Sequence, residues 1–211
     1  MIIRLRGKIS VSRRVKFQFF TQYKPLDIYY FTNMYRPIWS TMKGKQMGVE
    51  IERKFLIKQL PENLESYPYH EITQAYLCTD PVIRIRKQDD EYYMTYKGKG
   101  LLCREEYNLP LNKDAYEHLL EKADGNVISK KRYEIPLSSA EINVECIQAL
   151  NGSELTLELD IFDAPFSPLI LVEIEFPNQE AAEAFKMLSW FSEDVTENRE
   201  YHNSNMSKQC F

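Results

Sequence analysis

Between Glu50 and Phe176 the chain repeatedly alternates charged and apolar residues, one for one. In a β-strand successive side chains point to opposite faces, so such a stretch has one charged and one apolar side. Glu50, Glu52 and Lys54 share a face opposite Val49, Ile51 and Arg53. Arg84 and Arg86 oppose Ile83 and Ile85, and the stretch from Tyr92 to Lys97 ends at a Gly98-Lys99-Gly100 turn. Arg104, Glu106 and Asn108 fall together, as do Lys130 and Arg132, Glu158 and Asp160, and Glu173 and Glu175.

For any one strand the plain reading is that the charges face water, because charged residues are seldom buried unpaired. The set constrains more. The apolar faces must pack on something, and helices can cover them from outside. Asn112 or Asp114 can cap a helix running to about Ala123, and Asn178 a second with Ala181, Ala184, Phe185 and Leu188 inward. Ser138 or Ser139 can start a third, to about Leu150. The charged faces are then left to line the interior of a closed antiparallel barrel. The expected class is α+β, mainly antiparallel β, with a polar, charged lumen and helices packed outside. A lumen of this kind is tolerable only if its charges compensate one another or are hydrated.

Acids and bases in one cavity suggest a particular chemistry. Clustered Arg and Lys bind a polyanion, and the guanidinium fork matches phosphate oxygens. Carboxylates repel phosphate unless hard cations stand between them. The mixture therefore points to a metal–polyphosphate complex, in which a metal polarises phosphoryl oxygens and orients a nucleophilic water. No glycine-rich GxxxxGK[ST] phosphate loop is present.

Composition removes other classes. The 211 residues carry a formal net charge of −4, which gives no global attraction to nucleic acid. Cys78, Cys103, Cys146 and Cys210 form no CxxC pair, and His70, His118 and His202 no HxxxH spacing. A reduced, cytoplasmic protein without a His/Cys zinc site is the simpler reading. No apolar run is long enough to span a membrane. Residues 1–46 stand apart: they are basic, with Asp27 their sole acid, and rich in Phe and Tyr. Three readings compete for them: a transit peptide, an arm for an anionic membrane or nucleic acid, or a stretch that is not native. Lys43-Gly44-Lys45 can be encoded by a purine-rich ribosome-binding sequence just upstream of Met47, which favours a start at Met47. The expected division is an extension over 1–46 and one domain over 47–207.

The motif Glu50-x-Glu52-x-Lys54 resembles the ExExK signature of the CYTH superfamily, the triphosphate tunnel metalloenzymes. It is followed in order by Arg84-x-Arg86, Thr95-x-Lys97-Gly98, Arg104-x-Glu106-Tyr107, Lys130-x-Arg132-Tyr133, Glu158-x-Asp160 and Val172-Glu-x-Glu-Phe176. The tail Trp190-Phe191, Val195-Thr196 and Tyr201-x-Asn203 is also similar. The resemblance is strongest to small bacterial inorganic triphosphatases. It implies an eight-stranded closed β-tunnel that hydrolyses inorganic triphosphate to diphosphate and phosphate with Mg²⁺ or Mn²⁺. It implies that Lys54, Arg84, Arg86, Lys97, Lys130 and Arg132 hold the triphosphate. Glu52 and Glu173 would hold the metal that bridges the phosphates. Glu50 and Glu175 would position a second metal or the attacking water, so Glu50, Glu175 and Lys130 are the expected catalytic groups. Arg104, Glu106, Glu158 and Asp160 would orient these charges and waters.

Two departures stand out. Asn108 occupies a position often acidic in the family, and residues 134–152 look longer than in the smallest members, more as a wandering loop than as a helical lid. A nucleoside triphosphatase is the nearest alternative. The adenylate cyclases of the superfamily carry His-Phe before ExExK, where this chain reads Lys43-Gly-Lys-Gln-Met-Gly-Val. A polyphosphate-binding module without catalysis, or a β-domain with all charges in water, are the non-enzyme readings. Neither a membrane nor a nucleic-acid partner is expected, and a homodimer is one assembly open to the chain.

Overall fold

The computed structural model describes residues 48–99 and 103–211. The expected extension over 1–46 lies outside them, and with it the choice among its three readings. Among the described residues nine strands form one antiparallel sheet: β1 (Gly48–Ile57), β2 (Tyr69–Thr79), β3 (Val82–Gln88), β4 (Glu91–Lys97), β5 (Cys103–Leu111), β6 (Asp124–Leu137), β7 (Leu155–Phe162), β8 (Ile170–Glu175) and β9 (Phe191–Asp194). The spatial order is β5-β4-β3-β2-β6-β7-β8-β1-β9. Four α-helices among the described residues interrupt it: α1 (Lys113–Leu120), α2 (Val144–Ala149), α3 (Gln179–Ala184) and α4 (Asn203–Met206). None of them is long and apolar enough to cross a membrane.

The mainly antiparallel α+β class is as expected, but the eight-stranded closed barrel needs correction. The sheet has a ninth strand, β9, paired to β1 through Phe55–Ile57. Among the described residues, β5 at one end of the order also pairs with β1 through four residue pairs, from Gly48↔Glu106 to Ile51↔Cys103. The pairing of β1 with β8 begins further along, at Glu52↔Glu175. The joint at β1 is therefore staggered, with different stretches of the strand serving β5 and β8, rather than hydrogen-bonded along its length.

The apolar faces pack as the alternation requires. Ile51 and Phe55 of β1, Ile135 of β6, Leu157 and Leu159 of β7 and Val172 and Ile174 of β8 form one core with Cys146, Ala149, Ala181 and Phe185 of the α2–α3 pair. At roughly 25 cal/mol per Å² of apolar surface, such burial is the main force holding the helices against the apolar face of the sheet. A second core joins Ala75 and Ile85 to Tyr116 of α1. Arg53, on the apolar face of β1, donates from Nη1 to the carbonyls of Ala182 (2.8 Å) and Phe185 (2.7 Å) and ion-pairs with Asp194. It thus satisfies carbonyls at the C-terminal end of α3, where no intrahelical donor remains.

The helix caps Asn112 and Asn178 accept from the backbone N–H of Ala115 and Ala181, both at 2.8 Å. The helices are shorter than the sequence periods suggest, since α3 ends at Ala184. Residues 134–152 are not a wandering loop. β6 continues to Leu137 and α2 packs on α3 through buried Cys146 and Ala149.

Candidate active site

The opposite faces of the strands do not stay charged from end to end. Ile128, Phe162, Leu171 and Tyr76 form an apolar cluster with Val195 and Met206 from the C-terminal segment. Ile128 shares its face with Lys130 and Arg132, Phe162 with Glu158 and Asp160, and Leu171 with Glu173. The charges are confined to the remaining part of these faces. There a cavity of about 650 Å³, its open mouth included, is lined by Glu50, Glu52, Lys54, Arg84, Arg86, Lys97, Glu106, Arg132, Glu158, Glu173 and Glu175. Tyr76, Val82, His202, Asn203 and Ser204 complete the lining.

Most of the residues expected at the site are thus brought together. Lys130 and Asp160 are not among the lining residues. They pair with each other with both side chains fully inaccessible, and the Lys130 ammonium lies 5.2 Å from the centre of the Phe162 ring. Burial first, and then the charge of Arg132, push Lys130 down to about 8. Lys130 shares its face with Arg132 but sits one step deeper, where the interior is already filled. Arg104 is placed by its backbone alone, opposite Glu50 in the β1–β5 pairing.

Cross-strand register explains which side chains meet, because directly opposed residues of an antiparallel pair lie on the same face within reach of each other. On β1, β6, β7 and β8, cations and acids are interleaved. Lys54 opposes Glu173, ion-pairs with it, and has Glu52 at 3.2 Å. Arg132 opposes Asp160, binds it through Nε (2.7 Å) and Nη2 (2.6 Å), and also ion-pairs with Glu158 and Glu173. Arg132 thereby holds together Glu158 and Glu173, which face each other across β7 and β8 as like charges. Burial alone would raise the Glu173 carboxyl, but Lys54 and Arg132 hold it well below the usual carboxylate range. Lys97 on β4 joins this pattern, with Glu50 at 2.6 Å and Glu106 at 2.8 Å. Burial opposes ionisation of Glu106 too, and Lys97 overrides it.

Arg84 and Arg86 on β3 differ. They are 5% and 8% exposed, and among the described residues their hydrogen-bond partners are all neutral. Arg84 faces Tyr76 on one side and Thr95 on the other, and donates from Nη2 to Thr95 Oγ1 at 3.0 Å. Its Nε–H is buried without a partner among the described residues. Arg86 faces Gln74 and Tyr93. It donates from Nε (3.0 Å) and Nη2 (2.8 Å) to Gln74 Oε1, and from Nη1 to the Tyr93 hydroxyl at 3.2 Å. Burial, reinforced by the like charge of Arg84, pushes the Arg86 guanidinium below its ordinary range. Asn108 serves this wall as a relay: it accepts from Thr95 Oγ1 (2.6 Å) and donates to Glu106 (2.9 Å).

Gln74, Tyr76, Tyr93, His202 and Ser204 were not singled out from the sequence as site residues, and Asn203 entered only as part of the Tyr201-x-Asn203 tail. The polar residue Gln74 and Tyr76, two apart in a stretch with Ile72 and Ala75, carried a signal. The segment 202–204 reaches the cavity only through the tertiary packing of α4.

The carboxylates are hard oxygen donors of the kind that Mg²⁺ and Mn²⁺ take. Glu52 stands directly opposite Glu175, and Glu52 and Glu173 flank the Lys54 ammonium. Among the described residues no three acidic, His or Cys side chains converge on one point. The donor set thus suits a hard divalent cation in kind, with a lysine between two of its members.

The CYTH domain model matches residues 48–208 of this chain. Over 158 residues, 73% of this chain and 93% of the relative, it is 37% identical to the inorganic triphosphatase of Nitrosomonas europaea. Over 171 residues, 78% of this chain and 97% of the relative, it is 30% identical to the inorganic triphosphatase of Acetivibrio thermocellus. A crystal structure of an inorganic triphosphatase superposes with a TM-score of 0.54 at 33% identity, covering 76% of this chain and 95% of that one. With the motif order, the charged cavity and these relatives in agreement, the chain belongs to the CYTH family.

Proposed function

We propose that the protein hydrolyses inorganic triphosphate to diphosphate and phosphate, with Mg²⁺ or Mn²⁺, by water attack in a tunnel formed by the charged strand faces. The observation that carries this reading is the cavity itself. It sets buried cations, two of them with only neutral hydrogen-bond partners among the described residues, beside a group of carboxylates. The relatives named inorganic triphosphatase support it.

In this reading Arg84 and Arg86 bind phosphate oxygens from β3, and Lys54, Lys97 and Arg132 bind them from β1, β4 and β6. Glu52 and Glu173 would hold the divalent cation, with Glu50 and Glu175 toward the terminal phosphorus. When bound, the cation offsets carboxylate–phosphate repulsion and polarises the phosphoryl oxygens. Glu50 or Glu175 accepts a hydrogen bond from the attacking water and takes its proton. The water oxygen bonds to the terminal phosphorus as the bond to the bridging oxygen breaks, and diphosphate leaves with that oxygen. Lys130, enclosed with Asp160, supports Arg132 from behind rather than touching substrate. Arg104, Glu106 and Glu158 steady the neighbouring charges. The enzyme works in the cytoplasm, on a small soluble substrate.

The test is phosphate release from triphosphate, ATP, thiamine triphosphate and diphosphate, each with Mg²⁺ and with Mn²⁺. Triphosphate should be cleaved fastest, and release from none of the four would leave a polyphosphate-binding module instead. Glu173→Gln should lose hydrolysis by ~100-fold or more, comparable to removing an essential charge-stabilising group, while still binding triphosphate in calorimetry. A fully active variant overturns the metal assignment.

A further inference from the structure

Gln74 is 0% exposed, and its Oε1 accepts both Nε–H and Nη2–H of Arg86. A single oxygen thus accepts both donors, where a carboxylate would ordinarily offer one oxygen to each. The orientation of the amide is settled by the fork, since only the oxygen can accept. Its Nε2 is then left buried with no hydrogen-bond partner among the described residues. A glutamate in the same place would bind the same two donors, add an opposite charge, and leave no orphaned N–H. The position therefore carries a desolvation cost that the apparently better residue would remove. Every other partner of the Arg84–Arg86 pair among the described residues is neutral as well: Thr95 for Arg84 and Tyr93 for Arg86.

Elsewhere in the cavity, Lys54, Lys97 and Arg132 each have at least one carboxylate within ion-pairing distance. An anion approaching those cations competes with resident acids. An anion approaching Arg86 competes with the dipoles of Gln74 and Tyr93, and one approaching Arg84 with Thr95 and with the charges of Glu106 and Glu50, which act on it through space without an ion pair among the described residues.

We infer that Gln74 is a positioning residue that orients the Arg86 fork without neutralising it, keeping the Arg84–Arg86 wall as the anchor for one end of a phosphate chain. This rests on the triphosphate reading of the cavity, and it adds a direction to it. One end of the chain is held by neutral-cradled arginines, and the scissile end lies by the carboxylates of β1 and β8. A compact dianion such as free phosphate would engage the arginine wall without reaching the acids.

The experiment compares Gln74→Glu with Gln74→Leu. Both are measured for binding of inorganic triphosphate by calorimetry, for KM and kcat with Mg²⁺, and for Tm. Gln74→Glu keeps the fork and adds charge, whereas Gln74→Leu removes the fork and adds none. If neutrality is the point, Gln74→Glu should weaken triphosphate binding by about 10- to 100-fold, the worth of a charge-assisted contact. The loss should fall on KM more than on kcat, without loss of Tm, and exceed that of Gln74→Leu. If Gln74 merely holds the side chain, the order reverses: Gln74→Glu binds like the wild type and Gln74→Leu is the weaker. That result, or a Gln74→Glu defect that tracks a fall in Tm, overturns the inference. Failure of the triphosphatase reading shows separately, as wild-type protein that releases no phosphate. The binding comparison remains readable in that case.

Discussion

The two walls of the cavity are built from the same strand alternation yet handle buried charge in opposite ways. On β1, β6, β7 and β8 the cations are interleaved with acids, so the wall is held together by its own electrostatics. On β3 the guanidiniums of Arg84 and Arg86 are cradled by Gln74, Tyr93 and Thr95, and the wall keeps net positive charge facing the cavity. A compensated wall is a structural element that a ligand must partly dismantle. An uncompensated wall gains its counter-charge only when an anion arrives, so burial there is an expense recovered on binding. Changes to the first wall should therefore appear mainly as stability, and changes to the second mainly as affinity.

The largest effect is expected at Asp160, which faces both Lys130 and Arg132 with its side chain fully inaccessible. Asp160→Ala leaves two buried cations short of their acid. Breaking a buried pair by removing one partner costs about 3–5 kcal/mol. Urea unfolding should show a loss of that order. A loss below ~1 kcal/mol, typical of surface pairs, would mean that this wall is not held by its ion pairs.

The next effect belongs to Lys130, and its sign follows from linkage. Its ordinary value is 10.5, and burial with Arg132 beside it lowers this to about 8 in the folded protein. Between those values the unfolded chain holds a proton that the native state has released, so stability rises with pH across that window. Relative to Lys130→Met, the wild type should gain on the order of 2–3 kcal/mol over the window. Unfolding free energies of the two proteins measured in parallel cancel the other titrating groups. A flat difference would place the lysine proton elsewhere.

How far this division was visible in the sequence depends on what alternation encodes. Parity along a strand reports the face of a residue, and so the lining residues from Glu50 to Glu175 can be gathered from the alternation alone. Parity says nothing of depth. Lys130 and Arg132 share a face, but Lys130 opposes Phe162 and Arg132 opposes Asp160. One is sealed beneath the cavity and the other opens into it. Nor does parity give register. That Gln74 meets Arg86, and Asn108 meets Thr95, depends on how separate strands align. The ninth strand was hidden for a similar reason. Phe191–Asp194 is too short to show a period and is defined by its edge on β1. Asn108, read from sequence as a missing lumen charge, instead links Thr95, which accepts from Arg84, to the carboxylate of Glu106.

The smallest change in stability, and the sharpest separation of the walls, should come from Arg84→Ala. Arg84 is buried, makes one hydrogen bond to Thr95, and leaves its Nε–H unsatisfied among the described residues. Burial opposes its charge, but Tyr76, Glu106, Tyr93 and Glu50 offset that cost through space rather than by an ion pair. Removing it deletes the desolvation cost together with these attractions, so stability should fall by less than the about 3–5 kcal/mol expected of a broken buried pair. Triphosphate affinity should fall ~10- to 100-fold, since a hydrogen bond to a charged group is worth about 1.5–3 kcal/mol. Asp160→Ala should show the reverse balance, with its stability loss outweighing any direct effect on affinity measured well below its melting transition. If Arg84→Ala unfolded as readily as Asp160→Ala, the guanidinium would be part of the scaffold. The contrast between a wall that holds itself and a wall that waits for an anion would then be lost.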